Sequence, residues 1–338
     1  MNKKRVLAML LAGAMTLSMT ACGGGNSAST DDSSNDGGAS ASGGSYKVSV
    51  ILKTLAAEYW QYVKSGAEDY AAEHSDKVTV EVKGPSSETA FDEMQNMIET
   101  DLSSGSYDGL IISPLQSDTA AQLVSGTKLP IVAVDTVFEG PEVVSFVGTG
   151  NEAAAKKGGE AAVEAAKAAG WTDIKCIEIA GVQGDATNTA RMEGYREGVN
   201  EAGGEFLDSE TQYANATADL AVTAMEGIMS KYPEGVAIIC SNNDDMALAA
   251  ARTAKGNPAY ANTIFLGFDG QKSAVEAVAS GELTMTAAQN NFDIGYKAIE
   301  TIVKILNGED YGDVDTGTEI ITKDNASERL QKFDEWLK

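Results

Sequence analysis

Basic residues are scarce in this 338-residue chain: 25 Lys and Arg stand against 50 Asp and Glu, a formal net charge of -25. A surface so acidic repels nucleic acid and anionic lipid, which excludes both as electrostatic partners. Histidine is scarcer still. His74 is the only one, near a helix end and expected to face solvent. That rules out a histidine-based triad unless His74 is misplaced, and it rules out multi-histidine metal sites. There are three cysteines. Cys176 and Cys240 each lie in an apolar, strand-like run and are expected to pack as buried free thiols. No catalytic residue, metal site or cofactor is expected.

The N-terminus has a layered composition. Lys3, Lys4 and Arg5 precede an uncharged, largely apolar run from Val6 to Met19. That run is short for a membrane span and has the layout of a secretory signal peptide, over residues 1–21. The sequence Met19-Thr20-Ala21-Cys22 resembles the lipobox of bacterial lipoproteins, in which Cys22 would be lipidated. From Gly23 to Ser45 the chain is almost wholly Gly, Ser, Ala, Asn, Asp and Thr, so residues 22–45 read as a lipidated cysteine on a flexible tether. Such an arrangement implies a domain held at the extracytoplasmic face of the cell membrane.

Beyond Tyr46, short β-branched runs alternate with helical segments. The expected strands include Lys47–Leu52, Ile131–Val134, Ile174–Ile179, Val236–Cys240, Ile264–Phe268 and Leu283–Ala287. The expected helices include Glu58–Glu73, Glu88–Leu102, Asn188–Ala202 and Asp244–Ala254. Strand–helix alternation at this spacing gives right-handed βαβ units, hence an α/β fold with parallel sheets, and the length suits two lobes. In such sheets ligands bind beyond the C-terminal ends of the strands. Asp135, Asn243, Asp269 and Gln289 fall at those ends. Any one could be a helix cap; four from separate strands favour a hydrogen-bonding pocket.

Val50 to Trp60, Arg191 to Tyr195, Asn242 to Leu248 and Gly267 to Gly270 occur in the order and spacing of type I periplasmic sugar-binding proteins. The chain resembles that family, and within it the ribose- and allose-binding proteins. The resemblance implies two Rossmann-like lobes with parallel sheets, joined by a three-crossover hinge: 46–149 with 290–318, and 150–289 with 319–338. It implies that Lys53, Tyr59, Trp60 and Asp135 face Arg191, Asn243, Asp269 and Gln289 around a monosaccharide or polyol. Carboxylates would accept from adjacent hydroxyls, Arg, Lys, Asn and Gln would donate, and the two aromatics would cover a ring face. It further implies a monomer that delivers its solute to an ABC importer permease by hinge closure.

Four positions depart from the family pattern. Ala57 and Glu58 replace Asn-Pro, Thr136 stands where an Arg is common, and Ala216 replaces a second stacking aromatic. A non-sugar polar solute or signal, such as a nucleoside or autoinducer-type molecule, therefore stands as an alternative, feeding a transporter or chemoreceptor. A glycosidase using Asp135 and Asp269 is a further one. Gly148 to Ala153 mimics a dinucleotide fingerprint but lacks the following acidic residue, and the resemblance makes this segment the first crossover. Tyr107 and Tyr213 fit either core or pocket. The tail from Ala326, with Leu330, Phe333, Trp336 and Leu337 at helical spacing, is expected to pack on a lobe.

Overall fold

Runs such as Gly109–Ile112 and Ile131–Val134 are apolar at every position, the mark of strands covered on both faces. A computed structural model, describing Ser45–Trp336, shows them in that role. The leader, Cys22, most of the tether and Leu337 lie outside the described residues. In chain order the elements begin with β1 (Tyr46–Ile51), α1 (Glu58–Glu73), β2 (Val78–Lys83), α2 (Phe91–Ser104), β3 (Gly109–Ile112) and α3 (Ser117–Val124). Next come β4 (Ile131–Val134), β5 (Val143–Gly148), α4 (Asn151–Ala168), β6 (Lys175–Ala180), α5 (Ala186–Glu201), β7 (Glu205–Phe206) and β8 (Gln212–Tyr213). The chain continues with α6 (Ala218–Lys231), β9 (Ile238–Ser241), α7 (Asp244–Ala254), β10 (Ile264–Asp269), α8 (Lys272–Ser280) and β11 (Met285–Gln289). It ends with α9 (Asn291–Asn307), β12 (Val314–Asp315), β13 (Thr318–Ile321) and α10 (Ala326–Trp336).

Two sheets result, one per lobe. The first runs β12-β5-β4-β3-β1-β2 and is parallel throughout. The second runs β13-β11-β10-β9-β6-β7, with β8 also on β6; it is parallel except for β13, which lies antiparallel on β11. The chain passes between sheets three times: from β5 into α4, from β11 into α9, and from β12 to β13. This is the α/β architecture expected from the alternation of strands and helices, with the two lobes and three crossovers that the resemblance implied. The fingerprint-like Gly148–Ala153 forms the first of these passages.

Helix pairs in each lobe touch backbone to backbone. A Cβ on Gly66 of α1 would strike the Phe292 carbonyl of α9, and one on Gly295 would strike that of Val63. In the other lobe, Gly194 and Gly198 of α5 lie against the carbonyls of Glu152 and Lys156 of α4. Close approach maximises dispersion contact and leaves little room to slide. The apolar strand residues behind them, such as Ile111, Val132, Ile238 and Leu266, are buried. Each contributes about 1.5–3 kcal/mol relative to exposure.

Several boundaries differ from expectation. Helix α2 starts at Phe91 rather than Glu88, leaving Glu88 in a loop. Helix α5 starts at Ala186 because Asp185 caps it, accepting from Asn188 N at 2.8 Å. Arg191 therefore sits inside α5, past its first turn. Strand β11 ends at Gln289, two residues beyond the expected end, because it pairs with Asp269 and β13 there. His74 is half-buried rather than exposed, its ring stacked on Tyr70 at 4.2 Å. Cys176 and Cys240 are buried free thiols with their sulfurs 3.4 Å apart. Helix α10 packs on α8 and also reaches the other lobe: Phe333 is buried against Tyr62 of α1, and Trp336 stacks on Phe292 of α9.

Candidate functional site

Both sheets direct the C-terminal ends of their strands at one narrow cleft. Lys53, Tyr59, Trp60, Asp135, Arg191, Asn243 and Asp269 all line it, together with Ala57 and Ala216. Gln289, the eighth expected residue, is fully buried behind the lining and steers residues that do reach it. Its Nε2 donates to Asp269 Oδ1 at 2.8 Å, and its Oε1 lies 3.4 Å from the Tyr59 hydroxyl. Tyr107 and Tyr213 are outside the cleft: one hydrogen-bonds Glu81, the other is exposed on β8.

The two strand-terminal aspartates share an unusual backbone. Asp135 has φ 61° and Asp269 φ 110°, left-handed values that non-glycine residues rarely hold. Such strain persists where surrounding contacts impose it, and it is common at binding sites. The contacts here are explicit. Asp135 accepts from the Tyr59 hydroxyl at 2.5 Å and the Thr136 hydroxyl at 2.8 Å. Asp269 accepts from Gln289 and lies 3.3 Å from Arg191 Nη1. Burial pushes the Asp269 carboxyl up to about 7, against the pull of Arg191 and Gln289.

Arg191 is held from all sides. Nε donates to Asn151 Oδ1 at 2.8 Å, Nη1 to the Asn242 carbonyl at 2.7 Å, and the guanidinium lies 3.8 Å over the Phe268 ring. Burial pulls its pKa down, but Asp269 and Asp135 outweigh that and leave it raised, so it enters the cleft as a fixed cation. Asn243 has two jobs. Its Oδ1 caps α7, accepting from Met246 N at 2.9 Å, and its Nδ2 donates to the Ala216 carbonyl at 3.1 Å. The capping role considered for such residues is thus real, and the side chain still faces the cleft.

The structure adds residues that were not singled out in the sequence. Glu88, Asp185, Thr187, Asn188, Asn242 and Asp245 also line the cleft. Asp185 meets Lys53 Nζ at 2.6 Å, an ion pair between the lobes with both side chains over nine-tenths buried. Thr136 and Thr187 hydroxyls meet across the same gap at 2.9 Å. Glu88 accepts from Trp60 Nε1 at 3.1 Å. Applying the strand-end rule to β6 would have found the loop from Gly181 to Asp185 and the start of α5. Glu88 carries no such signal once it is assigned to a helix.

Comparisons with known proteins point one way. A family model described as a periplasmic binding protein domain matches residues 48–310. The D-allose-binding periplasmic protein of Escherichia coli is 29% identical over 75% of this chain and 83% of its own length. A ribose import binding protein of Salmonella typhimurium is 30% identical over 59% of this chain; the match spans 66% of that protein. A carbohydrate transporter solute-binding protein from Agrobacterium radiobacter, solved with D-arabinose, superposes with TM-score 0.78 at 21% identity, covering 87% of this chain and 99% of its own. An ABC transporter solute-binding protein from Mycobacterium smegmatis, solved with glycerol, gives TM-score 0.73 at 26% identity, covering 84% and 96%. All of these are solute-binding proteins rather than enzymes.

Proposed function

We propose that this chain, which belongs to the periplasmic binding protein domain family, captures a small hydroxylated solute outside the cytoplasm and presents it to an ABC importer. The observation that carries the reading is the cleft itself. Asp135 and Asp269 stand at equivalent strand ends of opposite sheets, with Arg191 and Asn243 as donors and Tyr59 and Trp60 as an aromatic wall. Paired acceptors and fixed donors suit a polyhydroxylated molecule, and each would be left unpaired by an analogue lacking a hydroxyl. The proposed lobes are 46–149 with 290–318 and 150–289 with 319–338, turning about the three crossovers.

Closure follows from the same geometry. A solute that touches Asp135 on one lobe and Arg191 on the other stabilises the closed arrangement by its differential contacts. The leader, the Cys22 anchor and the tether complete the proposal: a lipid-anchored monomer at the membrane face, whose closed surface the permease reads. Gly-rich tethers give reach without fixing orientation.

A thermal-shift screen of the full chain against pentoses, hexoses, polyols, nucleosides and amino acids tests the reading. Binding to the folded state raises the melting temperature by mass action. A rise with one sugar or polyol supports it. A rise confined to nucleosides or amino acids would replace the solute class, and silence across the panel would count against a binder of small polar solutes.

A further inference from the structure

Five acidic side chains face the cleft (Glu88, Asp135, Asp185, Asp245 and Asp269) against two basic ones, Lys53 and Arg191, an excess of three acidic groups. Arg191 is matched with Asp269 and Lys53 with Asp185. Asp135, Glu88 and Asp245 meet only neutral donors: the Tyr59 and Thr136 hydroxyls, Trp60 Nε1 and Gln271 Nε2. The excess is concentrated at one end. Asp185, Glu88 and Asp135 all act on the single ammonium of Lys53, and together they hold its pKa up despite its burial.

A neutral solute would seal those carboxylates from water without compensating them, and buried unpaired charge is costly. Such groups respond by taking up a proton or by meeting a cation. Burial and the neighbouring Asp185 and Asp135 push Glu88 above the usual carboxylate range, although Lys53 and the Trp60 hydrogen bond oppose this. Among the described residues no group of carboxylates is arranged to hold a metal ion. The aromatic walls of Trp60 and Tyr59, which donate to Glu88 and Asp135, suit an ammonium carried on a carbon skeleton.

We propose that the solute of this cleft is a hydroxylated molecule bearing a protonated amine, of the amino-sugar or amino-polyol class, with its ammonium facing Glu88 and Asp135, while Asp185 stays with Lys53. This rests on the solute-binding reading and adds a charge to it. Arg191, Asn243 and Asp269 remain for hydroxyls, and Glu88 becomes the residue that discriminates an amine from its neutral counterpart.

Isothermal titration of the full chain tests it with three matched sets: D-glucosamine, D-galactosamine and 1-amino-1-deoxy-D-sorbitol, their neutral parents, and the N-acetyl forms of the two amino sugars. The expected result is one amine binding at least roughly tenfold tighter than its parent and its acetylated form, as a buried charge pair warrants. Glu88→Gln, which still accepts from Trp60, narrows that ratio towards one. Affinities for amines and for neutral parents both follow Asp269, whose carboxyl sits at about 7; amines lose further affinity as pH drops and Glu88 protonates in the field of Lys53, Asp185 and Asp135, so the amine-to-parent ratio narrows. Parents binding as tightly as amines, with a ratio that Glu88→Gln leaves unmoved, overturn the amine proposal and leave the sugar-binding reading standing. No heat from any member, amine or neutral, counts against both.

Discussion

Lys53, on the loop after β1, and Asp185, the cap of α5, join the two lobes through one buried ion pair of 2.6 Å. Breaking one side of a buried pair leaves the other charge uncompensated, at a cost of about 3–5 kcal/mol while it stays buried. The cheaper response here is to open and hydrate it. Lys53→Met should therefore populate the open arrangement without solute, seen as a larger radius of gyration in small-angle X-ray scattering. An unchanged profile would show that the pair does not hold the lobes.

Asp135 and Asp269 combine a functional carboxylate with left-handed backbone. Asp135→Ala and Asp269→Ala should each abolish solute binding while the protein still melts cooperatively. The asparagine variants separate the two properties, because Asn tolerates positive φ at least as well as Asp. They should keep the melting temperature closer to that of the parent and still lose most affinity, roughly a hundredfold for a charge-assisted hydrogen bond to a buried hydroxyl. Normal titration curves from both alanine variants would remove the two aspartates from the site.

Glu178 on β6 is fully buried, with one oxygen accepting from Asn242 Nδ2 at 3.3 Å and the other unpaired. Burial pushes its carboxyl up to about 8. A raised folded-state pKa means that its contribution to stability is fully present below about pH 4.5 and is lost as pH rises through 8. Glu178→Gln removes the titration and keeps the acceptor. It should raise stability at pH 8–9 by on the order of 2–4 kcal/mol and make little difference at pH 4. Melting curves across that range decide it; parallel curves for parent and variant would refute the assignment.

Gly198 gives a test of the close helix pairs. Alanine inside a helix ordinarily gains up to about 1 kcal/mol over glycine. Here the added methyl would strike the Lys156 carbonyl of α4, so Gly198→Ala should instead lower the melting temperature by roughly 3–10 °C. Gly227, on α6 with open space around it, is the control and should be neutral or stabilised.

How much was legible in the sequence depends on whether the signal is local. Helix α1 and strand β4 fall where periodicity put them, and Asp135 follows β4 as read. Periodicity placed the start of α5 at Asn188; the cap Asp185 moves it to Ala186. The two-residue strands β7, β8 and β12 exist only through their partners, so no pattern of their own marks them. The acidic residues divide in the same way. Asp269 ends a strand and could be found from that alone, whereas Glu88 and Asp185 are neighbours of Lys53 only after folding brings separate loops together. The resemblance supplied Lys53, Tyr59, Trp60 and Arg191, and every one of them reaches the cleft.

The burial of Cys176 and Cys240 makes the fold a ready host for optical labelling. Both sulfurs are shut inside the second sheet, out of reach of a thiol-reactive dye. In a Cys22→Ser background, a cysteine at the exposed Val137 would be the sole attachment point. Val137 shares a groove with Gly150, Thr187 and Ala190, where the lobes meet beside the first crossover. A dye there would change its surroundings as the hinge turns, converting solute concentration into brightness without any coupled reaction.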